Sequence, residues 1–222
     1  ANSALGTEKD TIEQVRIGAL DMVRASTASF HGLVPEAIVT SFPFIFRDIN
    51  HFRKAMSGPA GEKILAAFEK QGFVGLALWE PGARSISARK PVRNPADLKG
   101  AKIPAQASEL STSMAQALGA NPTSISNAEV YTALKTGLVD TAESNYSTYE
   151  SQRLYEVTPI YSETQHNIAP DILVFSKKVW DTLTQEEQKI IREAAKATAS
   201  FHIDLMSKKE TASREAAKKS GA

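Results

Sequence analysis

The stretch from Gly119 to Asn145, reading GANPTSISNAEVYTALKTGLVDTAESN, constrains this chain more than any other. Leu118-Gly119 reads as a helix end, with Gly119 able to take the left-handed conformation that closes one. Pro122 bars helix and favours an extended segment. Ser126-Asn127-Ala128-Glu129 fits a capping box opening a helix through Val130, Tyr131, Ala133 and Leu134. Gly137 closes that helix, and Leu138-Val139 restarts a strand ending at Asp140. Such frequent reversals deliver polar groups to the carboxyl ends of strands, where open α/β folds bind ligands.

The rest of the chain alternates in the same way. Thr7 to Ile17 reads as a helix, capped by Thr7 with Asp10, with Ile12 and Val15 facing inward and Gly18 at its end. Ala19 to Val23 is expected to form a short strand, and Ile38 to Phe46 an extended apolar segment broken by Pro43. Asn50 to Met56 and Pro59 to Gln71 read as helices. Val74 to Trp79 is a continuous apolar run, the mark of a buried parallel strand. Strands and helices alternate to Ser176, which argues for an α/β fold. Thr184 with Glu187 opens a segment to about Lys219 that lacks Gly and Pro and suits one long helix or two collinear ones. Turn-prone Pro81-Gly82 and Ala169-Pro170 are the expected domain crossings.

Composition bounds the function. A chain of 222 residues can bury a sizeable core and hold one or two domains. Its net charge is +1, so it carries no strong electrostatic footprint for nucleic acid. The basic pairs Lys208-Lys209 and Lys218-Lys219 read as a solvated helix face. There is no cysteine, hence no disulfide and no thiolate metal site. No apolar run approaches the roughly 18 residues of a membrane span. No secretory leader opens the sequence, which is read as a mature or trimmed product. The four histidines, His31, His51, His166 and His202, form no HxxxH or comparable ligand pair, and no GxSxG elbow, Walker loop or GxGxxG occurs. Neither catalytic nor metal-binding residues are assigned.

Five segments in order carry a family resemblance: SALGTEKDTIEQVRIGALDM at 3–22, SFPFIFRDINHF at 41–52, GARSISARKPVRNPADLKGAKI at 82–103, LGANPTSISNAEVYTALKTGLVDTAESN at 118–145, and YEVTPIYSETQHNIAPDILVFSKKVWDTL at 155–183. Together they resemble solute-binding proteins of tripartite ATP-independent periplasmic (TRAP) transporters, over nearly the whole chain. The resemblance implies a two-domain periplasmic-binding-protein-like α/β fold with long helices crossing between domains. Domain I would comprise residues 1–81 and 170–209, and domain II residues 82–169 and 210–222. Family members open with a strand and a helix before the motif that begins here, so domain I is expected to lack them; they also continue past Ala222. The implied function is periplasmic capture of a small organic acid, a sugar acid or C4-dicarboxylate, in a cleft that closes about a hinge. Delivery to the membrane subunits of a TRAP transporter would follow. A monomer without catalysis, cofactor or nucleic-acid partner is expected. The segments at 82–92 and 169–183 look closest to hexuronate-binding relatives. A ligand-sensing module of a signalling receptor, or an enzyme on a two-domain α/β scaffold, are the alternatives.

Arg84 leads the site candidates. Read alone, it is better explained by a structural ion pair; the resemblance makes it a contact for the ligand's carboxylate, a task suited to a planar guanidinium fork. Pro104 is a departure. The family's Lys-Gly-x-Lys-Ile-Arg motif here reads Lys99-Gly100-Ala101-Lys102-Ile103-Pro104, and proline offers neither charge nor backbone N–H. The pocket is therefore expected to prefer something other than a dianion unless Lys102 or Arg89 replaces the lost charge. Ser144 stands where many relatives place a ligand-contacting Asn, with Asn145 next to it. Gln106, Ser108 and Asn127 are further ligand candidates, though Asn127 also suits a helix N-cap. Glu8 and Ser26 align with polar residues that face the ligand in relatives. Glu143 reads as an orienting residue, His166 as a hydrogen-bonded structural histidine, and Phe44 and Trp79 as core.

Overall fold

A computed structural model describes residues 4–105 and 109–222. Along the chain come α1 (Glu8–Ile17), β1 (Met22–Ser26), 3₁₀ helices at Thr27–Phe30 and Pro35–Ser41, α2 (Ile49–Met56), and α3 (Pro59–Ala67) with a 3₁₀ extension Phe68–Gln71. Then follow β2 (Phe73–Trp79), β3 (Arg84–Ala88), β4 (Lys102–Ala105), α4 (Glu109–Ala117), β5 (Asn121–Ser124), α5 (Val130–Thr136), β6 (Thr141–Ser144) and α6 (Tyr146–Ser151). The chain ends with β7 (Ile160–Asn167), β8 (Asp171–Ser176), α7 (Lys177–Trp180) and α8 (Gln185–Lys219). Two compact units result: Ala1–Ser41, Phe46–Pro81 and Ala169–Leu205 form the first, and Phe42–Ile45, Gly82–Ile168 and Met206–Ala222 the second.

The first unit is built on an antiparallel sheet of order β1-β8-β2. Thr7 and Asp10 form the expected capping box at the start of α1, and Gly18 closes the helix with φ 81°. Ile12 and Val15 of α1 pack with Ile172 and Val174 of β8 around Phe30, Phe68 and Phe73. Phe30 meets the other two rings edge-on at 5.0 and 5.4 Å. On the other face of β2, Val74 joins Phe175 and Trp180. Gly75 pairs with Val174 and Ala77 with Leu173, so Leu76 is an extra residue in the ladder. That bulge shifts the side-chain alternation by one and returns Leu78 to the Phe73 side. Gly75 permits the close approach of α3: a Cβ there would lie 2.6 Å from the Leu65 carbonyl oxygen.

The second unit holds an antiparallel sheet of order β6-β3-β7 and the parallel pair β4-β5. Val130, Ala133 and Leu134 of α5 pack on Val139, Ala142, Tyr149 and Leu154, with Ala217 of α8 in the same cluster. A smaller cluster joins Ile86, Leu98, Ile103 and Ala120. Pro122 lies in β5, as its rigid ring favours. The Thr184–Glu187 capping box is formed, and α8 runs unbroken for 35 residues.

Several local expectations are corrected. The apolar run 74–79 forms a buried strand, but one antiparallel to β8; apolar cover on both faces produces the run whatever the strand's direction. The first strand begins at Met22 rather than Ala19, because the N–H groups of Ala19 and Leu20 donate to the Gln14 carbonyl and close α1. Residues 35–41 are 3₁₀ helix, not extended, with Thr40 Oγ1 donating to the Ala37 carbonyl at 2.8 Å. Ser126 and Glu129 do pair, but Glu129 N–H donates to the Ser126 carbonyl and closes a turn, so α5 starts only at Val130. Glu129, not Asn127, takes the N-cap position. Leu138 and Val139 donate to the Ala133 carbonyl in closing α5, which delays the strand to Thr141. Phe44 is not core: it is 70% exposed at φ 57°, in a turn whose N–H reaches the His166 carbonyl at 2.8 Å. Trp79 is half-buried and stacks on His202 at 5.3 Å.

Candidate functional site

β3 is the central strand of its sheet, and Arg84 is its first residue. Opposite it, β6 places Ser144 beside Ser85 and Glu143 beside Ile86. The ladder to β7 is irregular: Arg84 pairs with Asn167, but Ile86 pairs with Ser162. Between these pairs two steps along β3 face five along β7, and within that bulged stretch Gln165 has φ 45° and its N–H donates to Ser85 Oγ at 3.1 Å. This bulge brings His166 alongside Glu143.

Arg84 grips residue 143 twice. Its Nε donates to Glu143 Oε1 and its Nη2 to the Glu143 carbonyl oxygen, both at 2.6 Å. His166 Nε2 lies 3.4 Å from the same Oε1, and its Nδ1 is 2.8 Å from Thr164 Oγ1. Burial opposes the charge on Glu143, but Arg84 and the adjacent His166 outweigh it and hold the carboxyl well below the usual carboxylate range. The carboxylate is thus ionised, and the guanidinium is fixed in direction.

A pocket of about 560 Å³, including space open to solvent, adjoins this pair within the second unit. Its lining includes Arg84, Glu143, Ser144, Asn127, Thr148 and Gln152, together with Pro104 and Ala105 of β4. Ile125, Val130, Ala142 and Leu154 are its apolar wall. Ser144 is 2% exposed, and its Oγ has no hydrogen-bond partner among the described residues. A buried hydroxyl without a protein partner calls for one, and an ordered water is the usual one. A second, smaller cavity shares Pro104, Ala105 and Glu143 with it and is also lined by His166, Ile86, Ile103, Ser111 and Met114. Hydrogen-bond donors and acceptors around a fixed guanidinium suit recognition of a small polar acid.

The other candidates are distributed. Asn127 is an exposed turn residue on the pocket's lining. Asn145 caps α6, its Oδ1 accepting from Thr148 N–H at 2.9 Å. Glu8 opens α1 in the first unit and accepts from Ser29 Oγ at 2.6 Å. Ser26 caps the 3₁₀ helix 27–30 by accepting from Ala28 N–H at 3.3 Å. Gln106 and Ser108 lie outside the described residues. Lys102 Nζ donates to the Gly137 carbonyl, Arg89 donates to the Leu134 and Val157 carbonyls, and neither lines the pocket. Sequence reasoning missed Thr148 and Gln152. Thr148 in α6 and Gln152 at its C-cap are four residues apart and so fall on the same side of that short helix.

Among the described residues no helix is long and apolar enough to cross a membrane. The chain is 52% identical to a TRAP periplasmic solute binding protein from Bradyrhizobium sp., solved in complex with galacturonate, with a TM-score of 0.95 over 99% of this chain and 74% of that one. A TRAP periplasmic solute binding protein from Xanthobacter autotrophicus, with bound galacturonate, is 44% identical at TM-score 0.97, over 100% and 74%. The match to these two-domain binding proteins agrees with the α/β reading. Among curated proteins, a solute-binding protein of Chromohalobacter salexigens is 38% identical over 89% of this chain and 59% of its own length. The 2,3-diketo-L-gulonate-binding periplasmic protein of Escherichia coli is 34% identical over 92% and 63%. The chain therefore spans about three fifths of the length of these curated relatives. The family model for bacterial extracellular solute-binding protein, family 7, matches residues 1–222, and the chain belongs to that family.

Proposed function

We propose that this chain captures a sugar acid, with a hexuronate as the leading ligand, in the periplasm, and that it serves as a monomer the membrane subunits of a TRAP uptake system. The observation that carries this reading is Arg84, held at the head of β3 by Glu143 on the wall of a polar pocket. An oriented guanidinium pairs with a carboxylate through two parallel hydrogen bonds. Ser144, Asn127, Thr148 and Gln152 offer the hydroxyl and amide groups that sugar hydroxyls require. The galacturonate complexes of relatives at 52% and 44% identity support a uronate over a C4-dicarboxylate. Binding without turnover is favoured because the relatives are solute-binding proteins.

A thermal-shift screen tests the reading with galacturonate, glucuronate, C4-dicarboxylates, keto acids, amino acids and amines. A ligand at 100 times its dissociation constant adds about 2.7 kcal/mol to stability. The expected result is a shift with a uronate and unchanged ligand after incubation. A shift confined to amines or amino acids, or consumption of the ligand, refutes it.

A further inference from the structure

Tyr161 of β7 is not among the described lining of either cavity, yet its side chain reaches the corner that carries part of one. Its hydroxyl donates to the Ser144 carbonyl at 2.7 Å. Ser144 ends β6, on the far side of β3 from β7, so the phenol spans the width of the sheet. Ser85 of β3 lies between them: it pairs with Ser144 in the ladder, and its hydroxyl hydrogen-bonds the phenol. The Tyr161 ring also stacks on Tyr146, the first residue of α6, at 4.2 Å. One side chain thus grips both arms of the β6–α6 corner, and Ser144, Thr148 and Gln152 of that corner line the pocket.

The protons along this chain have a fixed order. The Gln165 N–H can only donate, and Ser85 Oγ accepts from it at 3.1 Å. The Ser144 carbonyl can only accept, so it takes the Tyr161 proton. Ser85 must then donate its own proton to the phenol oxygen. Burial pushes the Tyr161 phenol far above its ordinary range, against the opposing pull of the Ser85 hydrogen bond, so the hydroxyl keeps its proton at neutral pH.

We propose that Tyr161 is a positioning residue for the ligand pocket: its hydroxyl fixes the Ser144 backbone and, through it, the side of α6 that carries Thr148 and Gln152. The inference rests on the sugar-acid reading above. Without that hydroxyl the Ser144 carbonyl and the Ser85 proton both lose their partner, and both serines are only 2% exposed. Stranded polar groups so deep are costly, and the corner relaxes to satisfy them. The pocket groups it carries then lose the placement on which binding depends.

Calorimetry with galacturonate tests this against a matched control. Tyr149 of α6 also donates a buried phenol proton to a backbone carbonyl, that of Thr158 at 2.7 Å, and is likewise absent from the described lining of either cavity. Tyr161→Phe and Tyr149→Phe each delete one such bond, and both should lower the melting temperature. Only Tyr161→Phe should weaken galacturonate binding, by about fivefold or more, while Tyr149→Phe stays within about twofold of the wild-type chain. Ser85→Ala breaks the same chain one link back and takes over the decision, with the same loss expected, if circular dichroism shows that Tyr161→Phe does not fold. Unchanged affinity in Tyr161→Phe, or an equal loss in Tyr149→Phe, overturns the proposal. If galacturonate does not bind the wild-type chain, the assignment of ligand fails, and amide hydrogen exchange of the ligand-free chain decides the proposal. Faster exchange at Tyr146, Ser147 and Thr148 in Tyr161→Phe then upholds it, and unchanged exchange overturns it.

Discussion

The Glu210 carboxylate closes directly over Gly82. A Cβ at position 82 would lie 2.9 Å from Glu210 Cδ and 3.0 Å from its Oε2. The carboxylate is not free to swing aside. Its Oε1 accepts from Ser147 N–H at 2.8 Å and its Oε2 from Tyr146 N–H at 3.1 Å, so α8 supplies a second cap to α6 beside Asn145. Gly82 itself sits at φ 89°, where a side chain is strained. Gly82→Ala should therefore cost about 1 kcal/mol from backbone strain, and more from displacing the cap. In a Glu210→Ala background the strain and a tight approach to Asn145 Cβ at 3.3 Å should remain, without the displaced cap. A double-mutant cycle by urea denaturation reads the difference as a coupling of at least about 0.5 kcal/mol. Additive effects would separate Gly82 from the cap.

Arg84 has two duties, and its variants should separate them. Arg84→Ala should cost about 2–5 kcal/mol in affinity for galacturonate, as loss of a desolvated charge partner does. It should also lower the melting temperature, because Glu143 is only 15% exposed and loses its cation. Arg84→Lys keeps the charge but not the fork. It should retain more of the stability while still weakening binding by tenfold or more. Calorimetry and melting curves on both variants check this. Unchanged affinity in both would make the residue structural alone.

Glu143 should give the fold a pH signature. Its acidity is increased in the native state, so its folded value lies below the ordinary 4.5. Stability from the Arg84–Glu143 pair is then fully present above about pH 4.5 and declines as the pH falls below it. The melting temperature of the wild-type chain should exceed that of Glu143→Gln by a constant margin from pH 5 to 7. The margin should narrow steadily from pH 4.5 to 3. A margin that widens on acidification contradicts the assigned pairing.

Local signals with a single physical cause were legible in the sequence. The Thr7–Asp10 and Thr184–Glu187 boxes, the Gly18 and Gly137 terminations and the extended Pro122 segment all depend on neighbours within a few residues. What failed depended on partners far along the chain. Strand direction at 74–79 is set by β8, about a hundred residues later, and the Phe44 turn is held by the His166 carbonyl. The site shows the same division. Arg84 at a strand head was readable, and so was its ambiguity, since an ion pair and a pocket position prove to coexist in one side chain. That Glu143 would be the partner was not readable, because the β3–β6 register fixes it. Asn145 illustrates a signal with two meanings: the residue type that suits a ligand contact also suits an N-cap, and its Oδ1 serves as the cap.

The buried ion pair of the first unit should be asymmetric. Arg53 of α2 holds Glu80, just past β2, with Nε at 2.5 Å and Nη2 at 3.0 Å from its two oxygens. The Glu80 side chain is 4% exposed and that of Arg53 is 27%. The carboxylate is thus the end that water cannot reach. Arg53→Met strands it and should cost about 3–5 kcal/mol, the usual penalty for an uncompensated buried charge. Glu80→Gln leaves a neutral acceptor facing a cation that reaches solvent and that also feels Asp204, so its cost should be smaller, about 1–3 kcal/mol. The double variant Arg53→Met/Glu80→Leu should recover most of the Arg53→Met loss, since no charge is left behind. Midpoints of urea unfolding for the three variants decide the matter. A Glu80→Gln cost equal to or above that of Arg53→Met would show that desolvation of the carboxylate does not govern this pair.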